Sequence, residues 1–308
     1  MPKLYIYATI REEPVFPKTQ GEFVVRFKFL VLFAFLVLTD VLLVSAQEVK
    51  PDATAKPQSE ATPKVGKKDK KSAEKPVANG LAKNATPEQV AESVVYIYGG
   101  LGGREYLKQI RKTTIERGKI SIVNPDGKTE QATYEKLILR GDNLEKERVR
   151  FDQAFPSAKY ALVYNNDKIF GVFNDSVFTP REDATKAFEN QIWHGLEALL
   201  RYKENGSTLA LGEPEKIMNV EFFVLNVTDK QSRKTRFYIS SKTLRVMMLE
   251  YEENGVKMRR KFYDYNYAQG TLVPFRSVLW SNDKQIEETS IQTISFGQRV
   301  EEDAFKES

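Results

Sequence analysis

Cysteine is absent from the 308-residue chain, and histidine occurs once, as His194. The first absence excludes disulfides, thiolate metal sites and a cysteine nucleophile, together with the acylated cysteine that anchors a bacterial lipoprotein. It says little about compartment, because a domain this large can rely on its core rather than on cross-links. With one histidine there is no paired-histidine zinc helix, so His194, beside Trp193, reads as structural or solvent-facing. A Gly-x-Ser-x-Gly nucleophile elbow and a P-loop are also missing. Gly99, Gly100, Gly102 and Gly103 follow a helical stretch rather than a strand and lack Gly-x-Gly-x-x-Gly spacing, so they read as a helix-terminating turn. These residues imply no cofactor, no metal site and no catalytic residue.

Charge of one sign is also scarce, with a formal net charge of +5. Much of that surplus falls between Gln47 and Ala85, where nine lysines stand against five acidic residues and no aromatic occurs. A nucleic-acid partner would call for a folded basic groove with interleaved aromatics, so none is expected. Residues 47–85 cannot bury enough apolar surface to offset their ordering entropy and read as a disordered Lys/Ala/Pro-rich linker. Its use is that of a spacer, or of a basic arm around Lys67, Lys68, Lys70 and Lys71 that contacts a membrane or cell-wall surface.

Long apolar runs are likewise absent. The run from Phe29 to Leu38 is shorter than the roughly 20 residues of a membrane span, and Asp40 follows it. Arg26 and Lys28 precede the run, and Val44, Ser45 and Ala46 end it with short side chains. That order makes 25–46 a signal peptide cleaved before Gln47, with an uncleaved inner-membrane anchor as the alternative. Residues 1–24 form an extension that a start codon assigned too far upstream would explain.

Hydrophobic residues make up 41% and charged residues 29% of the chain, the balance of a globular protein with a sizeable core. The folded part, 86–308, opens at a capping box: Thr86 as N-cap, Pro87 at the first helical position and Gln89 three residues after the cap. Val90, Val94 and Ile97 then recur at helical spacing, and a second short helix is predicted over 104–111. Thereafter the period is two. Turn signals at 124–127, 141–143, 165–167, 174–175, 254–255 and 281–283 separate segments rich in β-branched and aromatic residues. One long helix is predicted over 181–203, with Ala184, Phe188, Ile192, Leu196, Leu199 and Leu200 forming its apolar stripe and Glu182, Lys186, Glu189 and Glu197 its wet face. About ten strands with these helices describe an α+β domain: a large curved antiparallel β-sheet with helices covering one face.

Three stretches carry a family resemblance: Tyr98 to Gly103 with Leu107 and Ile110; Arg236 to Val246; and Phe262 to Phe275, continuing through a hairpin to Phe296 and Phe305. In their order the chain resembles the LolA-type outer-membrane lipoprotein-sorting proteins over the whole folded part. The resemblance implies an incomplete barrel closed by helices, around an apolar cavity that shields acyl chains crossing the periplasm. It also implies an exported, monomeric, non-catalytic carrier in a Gram-negative periplasm, with acylated lipoprotein or lipid as cargo. The lysine-rich linker departs from the classical carrier, as does the lack of cysteine from its lipidated acceptor.

Phe188, Ile192, Trp193 and Leu196 on the helix, facing strand residues such as Phe222, Val224, Val246 and Met248, are the candidate apolar ligand-binding residues. Met247, Met248 and Met258 would give an adaptable lining. A filled core is the other account of the same stripe; it would make the domain a structural or regulatory envelope module that binds a protein or cell-wall partner. A hydrolase would need carboxylates or His194 converging in a polar cleft, whereas Glu145, Glu147, Glu287 and Glu288 fall where strands show a wet face.

Overall fold

The computed structural model describes residues 84–124 and 126–307. The extension 1–24, the signal segment 25–46 and the linker up to Lys83 lie outside the described residues.

Helix α1 (Pro87–Gly99) starts at the expected capping box: Gln89 N donates to Thr86 Oγ1 at 3.2 Å, and Thr86 N donates to Gln89 Oε1 at 2.9 Å. Val90, Ala91, Val94, Val95 and Tyr98 form its buried stripe. Gly100, at φ 57°, ends it in a conformation that favours glycine. Helix α2 (Gly103–Ile110) follows and buries Leu107.

A meander of six strands comes next: β1 (Thr113–Val123), β2 (Thr129–Leu139), β3 (Arg148–Ala154), β4 (Lys159–Asn165), β5 (Lys168–Phe173) and β6 (Ser176–Phe178). Helices α3 (Glu182–Trp193) and α4 (Leu196–Leu200) then lead to β7 (Thr208–Leu211), β8 (Glu215–Ile217) and β9 (Val220–Thr228). The second meander runs through β10 (Lys234–Ser240), β11 (Val246–Glu253), β12 (Val256–Ala268), β13 (Thr271–Ser281) and β14 (Lys284–Phe296). All fourteen strands pair antiparallel in one sheet, ordered β6 to β1, then β14 down to β9, then β7, with β8 also on β9. The two meanders meet where β1 pairs β14. The sheet stays open at β6 and β7, an incomplete barrel, and α3 and α4 lie on the connection from one edge to the other. The expectation of about ten strands falls short mainly because β6, β7 and β8 are too short to show a period.

Turn chemistry explains the hairpins. Asn166–Asp167, Asn174–Asp175, Asn254–Gly255 and Asn282–Asp283 take left-handed φ at both residues, the backbone of type I′ turns. Met218–Asn219 and Gln269–Gly270 do the same without a comparable signal in the first residue.

The single helix predicted over 181–203 is in fact two. Gly195 takes an extended conformation (φ −82°, ψ 179°), and a Cβ there would lie 2.8 Å from Gln191 O. His194 turns inward at the break: its Nδ1 lies 2.7 Å from Thr235 Oγ1, and its ring stacks on Tyr251 at 4.2 Å. The apolar spacing continues across the break, so periodicity alone does not reveal it; glycine's low helix propensity is the local signal.

Helices α1 and α4 pack on Leu225, Phe237, Ile239, Leu249, Phe262 and Leu272. Phe188 and Ile192 of α3 pack on Ile120, Tyr134, Phe151, Leu162 and Tyr164, and Trp193 touches both clusters. On the other side of β2 the C-terminal turn, Glu302–Phe305, buries Phe305 against Leu139, Val163 and Phe170. Among the described residues no helix is long and apolar enough to cross a membrane.

Candidate functional site

Between the middle strands and the α3–α4 break lies a cavity of about 240 Å³. Ile138, Val149, Phe151, Phe262, Phe275 and Ile291 supply apolar wall, and Ile192 and Leu196 roof it from either side of the break. The wall is not wholly apolar. Strands β1, β2, β12 and β14 contribute Glu116, Lys136, Arg260 and Glu287. Arg260 pairs with Glu287 at 2.8 Å, and Tyr134 Oη donates to Glu116 at 2.8 Å. The Lys136 ammonium lies 3.5 Å from Gln191 Oε1 and 5.5 Å from the centre of the Phe151 ring. Burial pushes the Lys136 ammonium below the usual lysine range, against the pull of Glu116.

One end of the cavity is closed by an ion-pair network. Glu197 accepts from Arg111 at 3.0 Å and from Arg140 at 2.7 Å; Glu147 accepts from Arg201 at 2.7 Å and lies 3.6 Å from Arg140. Arg111 also donates to Leu272 O at 3.0 Å, and Arg140 Nε to Arg111 O at 2.6 Å. Burial acts to raise the Glu197 carboxyl, but the Arg140 and Arg111 guanidiniums prevail and hold it at about 2. Burial prevails at Glu147, which is raised despite Arg140 and Arg201. The desolvated arginines thus make a rigid polar wall rather than a wet surface. This corrects two expectations: Glu147 and Glu197 do not lie on wet faces, and Glu287 faces the cavity.

No protein-family model matches the sequence, and no curated protein matches it. Solved structures do. A LolA superfamily protein from Nitrosomonas europaea superposes with a TM-score of 0.53 at 11% identity, covering 72% of this chain and 98% of that one. A DUF1329 family protein from Desulfovibrio piger gives 0.52 at 12% identity with the same coverage. The fold is LolA-like.

Within this LolA-like sheet the eight residues proposed from sequence are dispersed. Ile192 and Leu196 line the cavity. Phe188, Trp193 and Val246 are packed into the two inner clusters. Phe222, Val224 and Met248 form a separate cluster with Tyr238, on the face of β9 opposite Leu225 and Val227. The methionines do not line the LolA-like cavity either: Met247 and Met248 belong to that outer cluster, and Met258 to the main core. His194, by contrast, does line it. Burial holds its ring at about 4, with Arg233 and Lys186 adding and Asp229 opposing. Among the described residues no group of three histidine or acidic side chains is placed to hold a metal ion.

Sequence reasoning missed Glu116, Lys136, Arg140 and Arg260. Strand parity was the local signal: Arg260 alternates in step with Met258 and Phe262, Lys136 with Tyr134 and Ile138, and Glu116 with Ile120 and Ile122, so each falls on the inward face, whereas Arg140 lies beyond the end of β2.

Proposed function

We propose that the domain is a non-catalytic periplasmic carrier or binding module, which takes the acyl chain of a lipoprotein or lipid into the cavity between sheet and helices. The observation that carries this reading is the open volume of about 240 Å³ on the sheet's helix-covered face, roofed by a helix break instead of a packed helix. The LolA-like fold supports it. Burial of acyl chain contributes about 0.8 kcal/mol per methylene, so roughly fourteen carbons gain about 10 kcal/mol before association costs are subtracted. In this reading the segment 25–46 directs export of a monomer into a Gram-negative periplasm, and the lysine-rich linker tethers or spaces the domain. Native mass spectrometry of the periplasmic protein, followed by organic extraction, tests it. An acylated species that is lost in Leu196→Glu, with the fold retained, is the expected result. A clean apo mass after incubation with lipids and lipopeptides would overturn it.

A second reading, an envelope scaffold that binds a protein or cell-wall partner, is favoured by the open sheet edge. Phe173, Val177 and Phe178 on β5 and β6 are exposed there, an unusual finish for an edge strand. Neutralising Lys67, Lys68, Lys70 and Lys71 separates a surface-binding arm from a spacer: retention on anionic vesicles or wall fragments falls in the first case and holds in the second.

A further inference from the structure

One cation that lines the cavity has no ion pair. In the sheet register Lys136 of β2 stands between Glu116 of β1 and Phe151 of β3, and all three line the cavity. Glu116 accepts from Tyr134 Oη rather than from the lysine facing it, and Glu287 is held by Arg260. Lys136 itself makes no ion pair among the described residues. Its one hydrogen-bond partner is a neutral amide, Gln191 Oε1, at 3.5 Å, the outer limit for such a bond. An ammonium carries three donors, so this one keeps donating capacity inside the cavity, 5.5 Å from the centre of the Phe151 ring.

The charge of the wall decides what that donor can take. As many carboxylates as cations line the cavity, four of each. A bound anion would leave uncompensated negative charge in a desolvated space, next to Glu116, whereas an uncharged oxygen would keep the balance as it is. An ester carbonyl brings acceptors and no donor, the complement of an ammonium; an amide would add an N–H that needs an acceptor of its own. The same strand pairing supplies wall for a tail. Two residues along β2 from Lys136, Ile138 faces Val149 of β3, and both line the cavity. Apolar surface therefore begins one alternation from the ammonium.

We propose that Lys136 is the residue that selects the cargo's head: it donates to the carbonyl oxygen of an uncharged acyl ester whose chain lies against Ile138 and Val149. This assignment rests on the carrier reading and narrows it, from acyl chains in general to those that enter with an ester carbonyl and without a free carboxylate.

Equilibrium dialysis of the whole protein against methyl dodecanoate, dodecyl methyl ether and dodecanoate tests it. Ester and ether share length and shape and differ in the carbonyl alone. The expected result is ester binding about tenfold tighter than ether, with dodecanoate weaker than the ester. Lys136→Met should bring ester and ether to equal affinity, and Lys136→Arg, which keeps a charged donor, should restore most of the difference. Should neither variant fold, the infrared carbonyl stretch of the ester bound to the wild type decides, because an oxygen that accepts from an ammonium stretches below its position in alkane solvent. An unshifted stretch, or equal affinity of the wild type for ester and ether, would overturn the role of Lys136 and leave the carrier reading standing. Dodecanoate bound more tightly than the ester would overturn the uncharged head. Binding of none of the three would overturn the carrier reading together with this assignment.

Discussion

The two halves of the sheet meet the helices in different ways. Around β9 to β11, Phe237, Ile239 and Leu249 are fully buried and fill the space beneath α1 and α4. Around β1, β2 and β14 the same inward face carries Glu116, Lys136 and Glu287, and a cavity remains. Ionised groups cannot be packed against a dry helix without several kcal/mol of desolvation each, so where the inner face is charged the helix layer breaks instead of settling onto it. The difference lies in side-chain chemistry, since both regions share one antiparallel backbone.

The largest effect should come from the filled region. Phe237→Ala removes a ring with no exposed surface and should cost about 3–5 kcal/mol in urea unfolding; a loss below 1 kcal/mol would mean that this half is not close-packed. Glu147→Leu tests the ion-pair wall that closes one end of the cavity. It leaves Arg140 and Arg201 short of a counter-ion in a site where Glu147 is 4% exposed, and should also cost about 3–5 kcal/mol. An unchanged unfolding midpoint would show that water already compensates those guanidiniums.

His194, at the junction of the two regions, supplies a pH test. Its ordinary value of 6.5 is lowered to about 4 in the folded protein, first by burial. The unfolded chain therefore takes the proton first, and stability falls as pH drops from about 6.5 to about 4, with no further loss from this group below that. The contribution amounts to about 3 kcal/mol. His194→Gln should flatten that interval of the stability profile, and profiles that run parallel to the wild type would remove the histidine from the account. The smallest effect should be Ile291→Ala in the cavity wall, at less than about 1 kcal/mol, because its neighbours already border open space. A cost equal to that of Phe237→Ala would erase the contrast between the two halves.

The fold was largely legible from local chemistry. Thr86, Pro87 and Gln89 mark the first helix, and the Asn, Asp and Gly pairs mark the hairpins, because caps and left-handed turns depend on residues adjacent in sequence. The site was much less so. Alternation assigns a charged residue to the wet side of a strand, but it does not distinguish bulk water from an internal cavity, so Glu147 and Glu287 read as surface. Arg111, Arg140, Glu147, Glu197 and Arg201 come together from four separate segments, and no spacing rule links them. Of the apolar stripe and its facing strands, Ile192 and Leu196 border the cavity, whereas Phe222, Val224 and Met248 share a strand period with the core but belong to the opposite face.

The seam between β1 and β14 also sets a timetable. Thr114 faces Phe296 and Ile122 faces Glu287, so the second neighbour of β1 is β14, which starts at Lys284, more than 160 residues after β1 ends at Val123. Until that strand is available, β1 presents a bare edge and the two meanders have no common sheet. Pairings this distant in sequence bear a heavy loop-closure cost and form slowly. A chain carrying such a seam completes its sheet only once β14 is free to pair, so an export step of the kind proposed above would meet it before its two meanders are joined.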